Sequence, residues 1–382
     1  MQRSEIAQAA STGLKVFSQT IKSVKATIGF DGFVDSIIDV VDTRDDADNY
    51  QSIPTISEYG QRIVAAAGKS ANIELVTKLR KLGGNGPIMA NAMASFGLPV
   101  TYIGMLGYPN IDEVFEDFAK VATVHSIADP GYTDALEFED GKLLMGKYTS
   151  TKEINKDTIA KILGLDKFKQ ITKDSRFLGM VNWTMLPNLN SIWDLLINDI
   201  LPAIGSDVDG NKRMIFIDLA DPAKRTRQDI ANALGRLTQM SPLADVVLGL
   251  NLAESSQVAQ VLNIPVQDDA ESEIEFTAQR IREKLNLKAV VIHPRSCAAA
   301  AVLTKDGVTQ ARFQGPFVQK PKLSTGAGDN FNAGFCLGLL ADLPVAQALC
   351  VGTASSGFYV RNASSATLDQ LIDFCDDLPP AE

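Results

Sequence analysis

Short apolar runs alternate with longer stretches of helical periodicity from residue 155 onward, and this alternation constrains the fold more than any other feature. The apolar runs occupy residues 177–181, 214–218, 246–249 and 289–293. A strand, a crossover helix and a second strand in succession form a parallel sheet, and fully apolar strands are typical of sheets covered on both faces. The chain therefore predicts an α/β fold with a mainly parallel sheet and helices on both faces.

The N-terminal part of the chain predicts two more core strands and a separate small sheet. The helical predictions are an amphipathic helix over 4–22 and a helical stretch over 58–81 interrupted at Gly68, and the core strands are 25–29 and 100–104. Residues 131–150 predict a β-hairpin around Asp140 and Gly141. The acidic stretch 42–57 is predicted to be a solvated loop, because it lacks the sharp-turn glycine of a calcium-binding EF-hand.

Composition limits the classes of partner and compartment. The chain has 382 residues, of which 45% are hydrophobic, and its net charge is −10. That charge argues against nucleic acid and acidic membrane surfaces as partners. The four cysteines lack CxxC spacing, and the sequence has neither a membrane-spanning apolar run nor the hydrophobic region of a signal peptide. We therefore expect reduced cysteines, no membrane or nucleic-acid partner, and a cytoplasmic protein.

A glycine-rich turn that leads into a helix, within residues 322–340, is the strongest candidate site. Gly326 and Gly328 let the backbone approach a ligand closely, and Asp329 follows in the first helical turn. The first amides of a helix have no intrahelical partner and lie at the positive end of its dipole, so this turn predicts an anion site. The alternative is structural, because an Asp stabilises the start of any helix.

The turn matches neither of the two common phosphate-binding loops. Phe331 occupies the third glycine position of GxGxxG. Ile63 occupies the first glycine position of a Walker A loop that would end at Gly68-Lys69-Ser70. The residues alone therefore leave both the anion-site and the structural interpretation open.

The stretch Ser324-Thr-Gly-Ala-Gly-Asp-Asn-Phe-Asn-Ala-Gly-Phe335 resembles the C-terminal signature of the ribokinase-like, PfkB-type carbohydrate kinases. The resemblance implies that the backbone of Gly326, Ala327 and Gly328 forms an anion hole for the nucleotide, with Thr325 beside it. It also implies that Asp329 is the catalytic base, which accepts the proton of the acceptor hydroxyl. The expected fold is ribokinase-like, with a small β-sheet lid.

Two segments in the first hundred residues contain candidates for binding the acceptor. Asp31 and Asp35 lie where the first core strand ends, at the edge of a parallel sheet where ligands bind. Turn chemistry is the alternative role for Asp31. The resemblance implies an Asp that binds sugar hydroxyls, for which Asp35 is the closer match, and a pocket floor formed by Gly84 and Asn85. Ile88 occupies the position of an Asn that is usual in the family.

Asn251 and Glu254 follow the apolar run 246–249 and have NxxE spacing. The same spacing forms a capping box at a helix start, which is the structural alternative. The resemblance implies a role in placing Mg²⁺ near the phosphates. The charge of a nucleoside triphosphate needs this ion, which prefers oxygen ligands and often retains waters. We therefore expect Asn251 and Glu254 to hold Mg²⁺ through water.

Other positions depart from the family pattern. Ala223 replaces the Asn of Asp-Pro-Asn-x-Arg in the segment that begins at Asp221, and Leu323 replaces an Asp that contributes to a monovalent-cation site. We therefore expect little activation by potassium. His293-Pro294-Arg295 stands where the family usually has Thr-x-Gly near the nucleotide phosphates. The Ile-His-Pro and Ile88-Met-Ala-Asn segments are similar to those of ADP-dependent sugar kinases, which leaves ADP open as the donor.

The predicted function is transfer of the γ-phosphoryl group of a nucleotide, with ATP as the first choice and ADP as the alternative, to a hydroxyl of a sugar or sugar-like alcohol. A nucleoside kinase and a non-catalytic sugar or nucleotide sensor also stay open, and the departures at Ile88, Ala223 and Leu323 favour the sensor. One domain is expected over 1–382, with a lid formed by segments of about 33–57 and 128–150. The expected partner is a small-molecule acceptor, and a homodimer through the lid is compatible with this fold.

Overall fold

The computed structural model describes residues 2–207, 210–265 and 271–382, and its strands form a large sheet and a small sheet. In chain order the strands are β1 (Ala26–Phe30), β2 (Phe33–Arg44), β3 (Tyr50–Ser52), β4 (Leu75–Gly83), β5 (Val100–Gly104), β6 (Thr123–Ser126), β7 (Gly131–Phe138), β8 (Gly141–Lys147), β9 (Phe177–Met180), β10 (Met214–Asp218), β11 (Asp245–Leu250), β12 (Ala289–Ile292), β13 (Cys297–Thr304) and β14 (Gly307–Gln314). The large sheet has the order β14-β13-β12-β11-β10-β9-β1-β5-β6. From β12 to β6 its strands are parallel, and β13 and β14 add an antiparallel edge.

The parallel strands are apolar runs in the sequence because helices cover both faces of the sheet. Successive side chains point to opposite faces of a strand, so Phe216 and Val247 join one core layer while Ile217 and Leu248 join the other. The six core strands predicted from the sequence are all present, with ends that differ by at most one residue. The prediction of a mainly parallel sheet is confirmed.

The helices cover both faces of this sheet. In chain order they are α1 (Arg3–Phe17), α2 (Ile56–Ala65), α3 (Asn85–Ser95), α4 (Glu116–Val121), α5 (Lys156–Thr158), α6 (Leu165–Asp174), α7 (Leu189–Leu195), α8 (Leu201–Ile204), α9 (Arg227–Met240), α10 (Leu252–Val261), α11 (Ile274–Leu285), α12 (Ala327–Leu340), α13 (Val345–Asn362) and α14 (Leu368–Asp376). Short 3₁₀ turns lie at Ile21–Ser23, Glu113–Phe115, Thr149–Glu153 and Pro222–Lys224, and π-helical turns at Ile159–Leu163 and Leu196–Ile200. Helices α1, α3, α12, α13 and α14 pack on one face, and α7, α9 and α11 pack on the other.

The small sheet is built around β2. This strand pairs antiparallel with β3 and β4 and parallel with β7, and β8 forms a hairpin with β7. Ile38, Val40 and Leu136 form a small apolar core with Ile53 and with Tyr59 of α2. The predicted hairpin within 131–150 is therefore confirmed as β7 and β8.

Three sequence predictions about secondary structure are wrong in part. The helical stretch predicted over 58–81 ends at Ala65, and β4 occupies 75–83 instead. Leu, Lys and Arg in that stretch favour a helix locally, but β2 offers a continuous antiparallel partner, and this long-range pairing decides the outcome. The loop predicted over 42–57 contains the end of β2, all of β3 and the start of α2, and α1 ends at Phe17 rather than at residue 22.

The four cysteines are free and buried. They lie on β13, α12, α13 and α14, within the packed layers on the large sheet. No helix in the described part of the chain combines the length and the apolarity that crossing a bilayer requires.

The connection between β1 and β2 leaves no room for a side chain at Gly32. A Cβ atom on Gly32 would lie 2.1 Å from the carbonyl oxygen of Met105, whereas one on Gly60 in α2 would meet nothing within 4 Å. Gly32→Ala should therefore lower the free energy of unfolding by about 2 kcal/mol or more, because the backbone has to move. The control Gly60→Ala should raise it by about 0.5–1 kcal/mol, since alanine favours a helix. Urea unfolding measures both changes, and an unchanged stability of Gly32→Ala would contradict the prediction.

Candidate active site

Two cavities open at the carboxyl ends of the parallel strands, the edge at which ligands bind in open α/β sheets. The Asn85 cavity has a volume of about 370 Å³, and its lining includes Asp35, Gly84, Asn85, Asn182, Asp221 and Lys224. The Gly328 cavity has a volume of about 340 Å³, and its lining includes Asn251, His293, Arg295, Phe317, Ala327 and Gly328. A larger depression of about 1030 Å³ lies at the amino ends of β1, β9 and β10, and no site residue predicted from the sequence lines it.

Asp31 is buried beside the Asn85 cavity and joins segments that are far apart in the chain. Its Oδ2 accepts hydrogen bonds from the main-chain N–H of Asn85 at 3.0 Å and from Nδ2 of Asn182 at 2.6 Å. Its Oδ1 accepts one from the N–H of Gly86 at 2.8 Å, and the Tyr102 hydroxyl donates to its main-chain carbonyl at 2.5 Å. Burial raises the pKa of Asp31 to about 6, and the hydrogen bonds oppose this rise.

Sequence reasoning missed Asn182 and Tyr102. Asn182 follows the apolar strand β9 with a φ of 60°, in the left-handed region. A polar residue directly after a core strand is a signal that could have selected it. Tyr102 lies inside β5, and no local pattern marks it, because only the pairing of β5 with β1 brings its hydroxyl to Asp31.

Gly84 and Asn85 link Asp31 to Asp329. Gly84 has a φ of 100°, which glycine adopts readily, and it directly precedes α3. The main-chain N–H of Asn85 donates to Asp31, and its Nδ2 donates to Oδ1 of Asp329 at 3.0 Å. The start of α3 thus joins two buried carboxylates through the main-chain N–H and the side-chain amide of one residue.

Asp35 lies on β2 and lines the Asn85 cavity, together with Gly84 and Asn85. Its carboxylate lies so close over Gly83 that a Cβ there would be 2.5 Å from Oδ2. Burial raises the pKa of Asp35, and a hydrogen bond with Thr133 lowers it. Three of the four residues predicted to bind the acceptor therefore line one cavity, and Asp31 lies behind them.

Asp329 lies between the two cavities. It is hydrogen-bonded to Asn85, which lines one cavity, and it follows Gly328, which lines the other. Only 7% of Asp329 is exposed. Burial raises its pKa well above the usual range, the nearby carboxylate of Asp218 raises it further, and the hydrogen bond from Asn85 opposes the rise. A carboxylate in such surroundings is suited to accepting a proton.

Asp218, which the sequence analysis did not select, completes an acidic group with Glu254 and Asp329. It ends β10; its Oδ2 accepts from Nδ2 of Asn332 at 3.0 Å, and its Oδ1 accepts from the N–H of Ala220 at 2.7 Å. Burial raises its pKa, and the neighbouring Glu254 carboxylate adds to the rise. Its position as a polar residue at the carboxyl end of a core strand is the signal that could have selected it.

Asn251 and Glu254 form the capping box that was the structural alternative. Asn251 Oδ1 accepts from the N–H of Glu254 at 2.9 Å, and Glu254 Oε2 accepts from the N–H of Asn251 at 2.8 Å. The other oxygen of Glu254 accepts from the N–H of Asp221 at 2.9 Å. Because a carboxylate has about four lone-pair directions, these bonds leave part of its capacity for a further ligand.

The turn before α12 has the geometry expected of an anion site. Gly326 has a φ of 92° and precedes the first helical residue, Ala327. The Tyr359 hydroxyl holds the turn by donating to the carbonyl of the exposed Thr325 at 2.9 Å. Among the described residues, no hydrogen-bond acceptor faces the amides of Gly328 and Asp329. These amides are therefore available to a ligand in the Gly328 cavity.

His293 forms part of the wall beside this turn. Its ring centroid lies 4.5 Å from that of Phe331, and its Cε1 lies 3.4 Å from where a Cβ of Gly328 would be. Burial lowers the pKa of His293 to about 4, so the imidazole is neutral at pH 7.

The oxygen donors at the sheet edge fit a magnesium ion. Over residues 2–207, 210–265 and 271–382, no group of three or more His, Cys, Asp and Glu side chains forms a metal site by itself. Asp218 and Glu254 are nevertheless close enough to repel each other, and in the described chain Oδ1 of Asn332 is buried without a hydrogen-bond partner. Mg²⁺ keeps several waters and needs only one or two carboxylates, so these residues suit an ion held largely through water.

Solved structures of other proteins share this fold. Ribokinase from Cryptococcus neoformans var. grubii serotype A in complex with ADP aligns with a TM-score of 0.62 at 16% identity, covering 92% of this chain and 99% of that chain. A phosphofructokinase-2 mutant from Escherichia coli aligns with a TM-score of 0.62 at 14% identity, covering 93% of this chain and 98% of that chain. The fold is therefore ribokinase-like, as the sequence predicted.

The chain belongs to the prokaryotic ketohexokinase family, whose sequence profile matches residues 3–378. A ketohexokinase of Haloferax volcanii is 26% identical over 370 residues, which make up 96% of this chain and 95% of that protein. The protein is thus a PfkB-type carbohydrate kinase, which transfers a phosphoryl group from a nucleotide to a sugar hydroxyl. The predicted kinase function is confirmed, and the sensor alternative finds no support in these relatives.

The burial of Asp329 predicts how stability depends on pH. Because its pKa is raised in the folded protein, the ionised carboxylate destabilises the fold at pH 8, and this penalty disappears as the pH falls through the raised pKa toward the ordinary value of 3.8. At pH 8, Asp329→Asn should therefore be more stable than the wild type by more than about 1 kcal/mol. This difference should shrink on acidification toward pH 4.

Urea unfolding in EDTA at several pH values measures this difference. Asp342→Asn is the matched control, since Asp342 is exposed just after the other end of α12. This control should show no gain that depends on pH. Equal stability of Asp329→Asn and the wild type at pH 8 would contradict the prediction.

Proposed function

We propose that this protein is an ATP-dependent ketohexokinase, which transfers the γ-phosphoryl group of ATP to a hydroxyl of a ketohexose. The observation that carries the proposal is the position of Asp329, between the polar Asn85 cavity and the cavity at the start of α12. The name of the Haloferax volcanii relative supports a ketohexose as the acceptor. The ADP complex of the ribokinase neighbour supports an adenine nucleotide as the donor.

Asp329 is the proposed general base. The acceptor oxygen bonds to the γ-phosphorus while the bond from that phosphorus to the β,γ-bridging oxygen breaks, so that ADP leaves with the bonding electrons. The hydroxyl proton passes to the Asp329 carboxylate, which the hydrogen bond from Asn85 holds in place. Base catalysis of this kind contributes on the order of 10²–10⁴-fold to the rate.

The turn before α12 is the proposed binding site for the transferring phosphoryl group. The amides of Gly328 and Asp329 stabilise the negative charge on its oxygens, together with the positive end of the helix dipole. Gly326, Ala327 and Thr325 shape this turn, and Tyr359 fixes it through the Thr325 carbonyl. Because the turn directly precedes Asp329, the proposed base and the proposed phosphoryl site lie at the same end of α12.

Asn251 and Glu254 are the proposed residues that hold Mg²⁺, largely through water, and Asp218 and Asn332 complete the donor set. When bound, the ion neutralises charge on the nucleotide phosphates. The unpartnered Asn332 Oδ1 and the mutual repulsion of Asp218 and Glu254 support this assignment. These residues would hold the ion beside the Gly328 cavity, which Asn251 lines.

The Asn85 cavity is the proposed acceptor site, with Asp35, Gly84 and Asn85 as ligands for sugar hydroxyls. Phe33 and Asp35 on β2 and Thr133 on β7 form the part of its wall contributed by the small sheet. We therefore assign this sheet the role of a lid over the acceptor. Beyond the expected segments 33–57 and 128–150, the proposed lid includes β4 at 75–83.

A homodimer through the small sheet is part of the proposal. The outer strands β4 and β8 expose apolar side chains, among them Leu79 and Leu144, at 55% and 66% exposure. Exposed apolar side chains on edge strands favour contact with another chain. A cytoplasmic location is proposed from the free, buried cysteines, which accord with a reducing compartment.

A panel of donors and acceptors tests the proposed reaction. With Mg²⁺ present, kcat/KM is measured for fructose, glucose and adenosine, each with ATP and with ADP. The pair of ATP and fructose should exceed every other pair by at least about tenfold, a difference of about 1.4 kcal/mol in transition-state binding. Preference for adenosine would favour a nucleoside kinase, and higher rates with ADP would identify an ADP-dependent sugar kinase.

Asp329→Asn separates the catalytic role of Asp329 from a structural one. Asn keeps the size of the side chain and can accept the hydrogen bond from Asn85, but it does not take up the proton. Turnover should fall by about two to four orders of magnitude. Nucleotide affinity should hold or increase, because a negative charge beside the phosphates is removed. Asp342→Asn should retain full turnover, and undiminished turnover of Asp329→Asn would exclude it as the base.

Glu254→Gln distinguishes a magnesium role from helix capping. The Gln amide replaces one oxygen that accepts a main-chain N–H, so a stability loss of about 1 kcal/mol is expected in either case. Glu5→Gln is the matched control, because Glu5 forms a capping box in α1. If Glu254 also places the metal, only Glu254→Gln should raise the Mg²⁺ concentration for half-maximal rate, by at least about threefold. Equal Mg²⁺ dependence in both variants would leave Glu254 with the capping role alone.

A further inference from the structure

The segment His293-Pro294-Arg295 replaces the family's usual Thr-x-Gly and has no role in the proposed reaction so far. It follows β12 directly and forms a wall of the Gly328 cavity. His293 and Arg295 both line this cavity, but the His293 ring is neutral and packed on Phe331. Arg295 is therefore the residue of this segment that brings a charge to the cavity.

Over residues 2–207, 210–265 and 271–382, Arg295 has no partner that neutralises its charge. Its side chain is exposed, and it forms no ion pair and no hydrogen bond with any residue that the structure describes. Its one aromatic contact is with Phe317, whose ring centroid lies 6.0 Å from the guanidinium carbon. Phe317 itself lines the Gly328 cavity, so this contact holds Arg295 at the cavity wall.

The lining of the Gly328 cavity, as far as the structure describes it, offers no carboxylate to Arg295. Within the described chain, Arg295 is the one charged side chain in its lining, and no Asp or Glu side chain lines it. Its other polar groups are neutral, such as those of Asn251 and Ser324. The protein as a whole carries a net charge of −10, so a bound polyphosphate meets repulsion unless a local cation offsets it.

Arg295 is also within reach of the phosphate end of the cavity. His293 Cε1 lies 3.4 Å from the Cβ position of Gly328, which belongs to the anion-binding turn. Arg295 follows His293 by two residues and lines the same cavity as Gly328, so its long side chain shares this cavity with the anion-binding turn. Arg matches phosphate oxygens with several N–H donors at once.

We propose that Arg295 binds the phosphate chain of the nucleotide donor, together with the turn before α12, and so favours the nucleotide over the uncharged nucleoside. The inference rests on the proposed function, because it assigns the Gly328 cavity to the nucleotide. It adds a binding residue that lies outside the glycine turn and outside the NxxE segment. It also explains the departure at His293-Pro294-Arg295, because the Arg295 guanidinium takes the place of the neutral hydrogen-bond donors of Thr-x-Gly.

Calorimetric titration with ATP and with adenosine tests this role. The proteins are the wild type, Arg295→Gln, Arg295→Lys and the control Arg280→Gln. Arg280 is a matched control because it also lies over a ring, that of Phe276 at 5.0 Å, but on the surface helix α11. Titrations are made in Mg²⁺ buffer at low and at moderate salt.

Arg295→Gln should weaken ATP binding by about ten- to a hundredfold, the usual effect of losing a charge-assisted hydrogen bond, while adenosine binding changes less than about threefold. Arg295→Lys should bind ATP with an affinity between those of the wild type and Arg295→Gln, because it keeps the charge but loses the planar set of N–H donors. Added salt should weaken ATP binding to the wild type more than to Arg295→Gln. Arg280→Gln should match the wild type.

Two results would overturn the inference. Unchanged ATP affinity in Arg295→Gln would show that the side chain does not contact the nucleotide. Equal losses for ATP and adenosine would show that it stacks on the base instead. A wild type that binds neither ATP nor adenosine would instead overturn the proposed function, so the two failures are distinguishable.

Discussion

The hydrogen-bonded chain from Asp31 through Asn85 to Asp329 is the interaction on which the site depends. It connects the end of β1, the start of α3 and the start of α12, which are separated by 54 and 244 residues along the sequence. Burying carboxylates is costly unless their oxygens receive hydrogen bonds. Asp31 meets this condition with donors from α3, β5 and the segment after β9, so the same bonds that satisfy it fix the relative positions of these elements.

The acidic group at the sheet edge is unfavourable by itself. Asp218 and Asp329 are buried carboxylates, and burial raises both of their pKa values. The Glu254 carboxylate raises the pKa of Asp218 further, and the Asp218 carboxylate raises that of Asp329. The two apolar layers on the large sheet supply the stability that offsets this repulsion. A proton acceptor and a cation site both need concentrated negative charge, and a rigid, doubly covered sheet can hold it in place.

The two cavities differ in their polar groups, as the proposed sugar acceptor and nucleotide donor require. The Asn85 cavity offers carboxylate, amide and hydroxyl groups, which suit the hydroxyls of a sugar. The Gly328 cavity combines main-chain amides at a helix start, an aromatic ring and one arginine, which suit a nucleotide. Asp329 lies between them, and the small sheet adds a wall to the first cavity only, so the proposed lid need not disturb the proposed nucleotide site.

The sequence by itself determined the parallel core, the helix that begins at the glycine turn, and the place of Asp329, because these depend on local patterns of period and turn chemistry. The resemblance to the kinase family, and no local pattern, grouped Asp35, Gly84 and Asn85 in one acceptor pocket, and these three residues line one cavity. Only the tertiary structure decided that 75–83 pairs with β2 as a strand, because the partner lies more than thirty residues away and local propensity favours a helix. It likewise decided that Asp31 is a buried acceptor joined to Tyr102 and Asn182, and that Arg295 lines a cavity in which no other described residue is charged. Such contacts join residues distant in the chain, and no local pattern of the sequence encodes them.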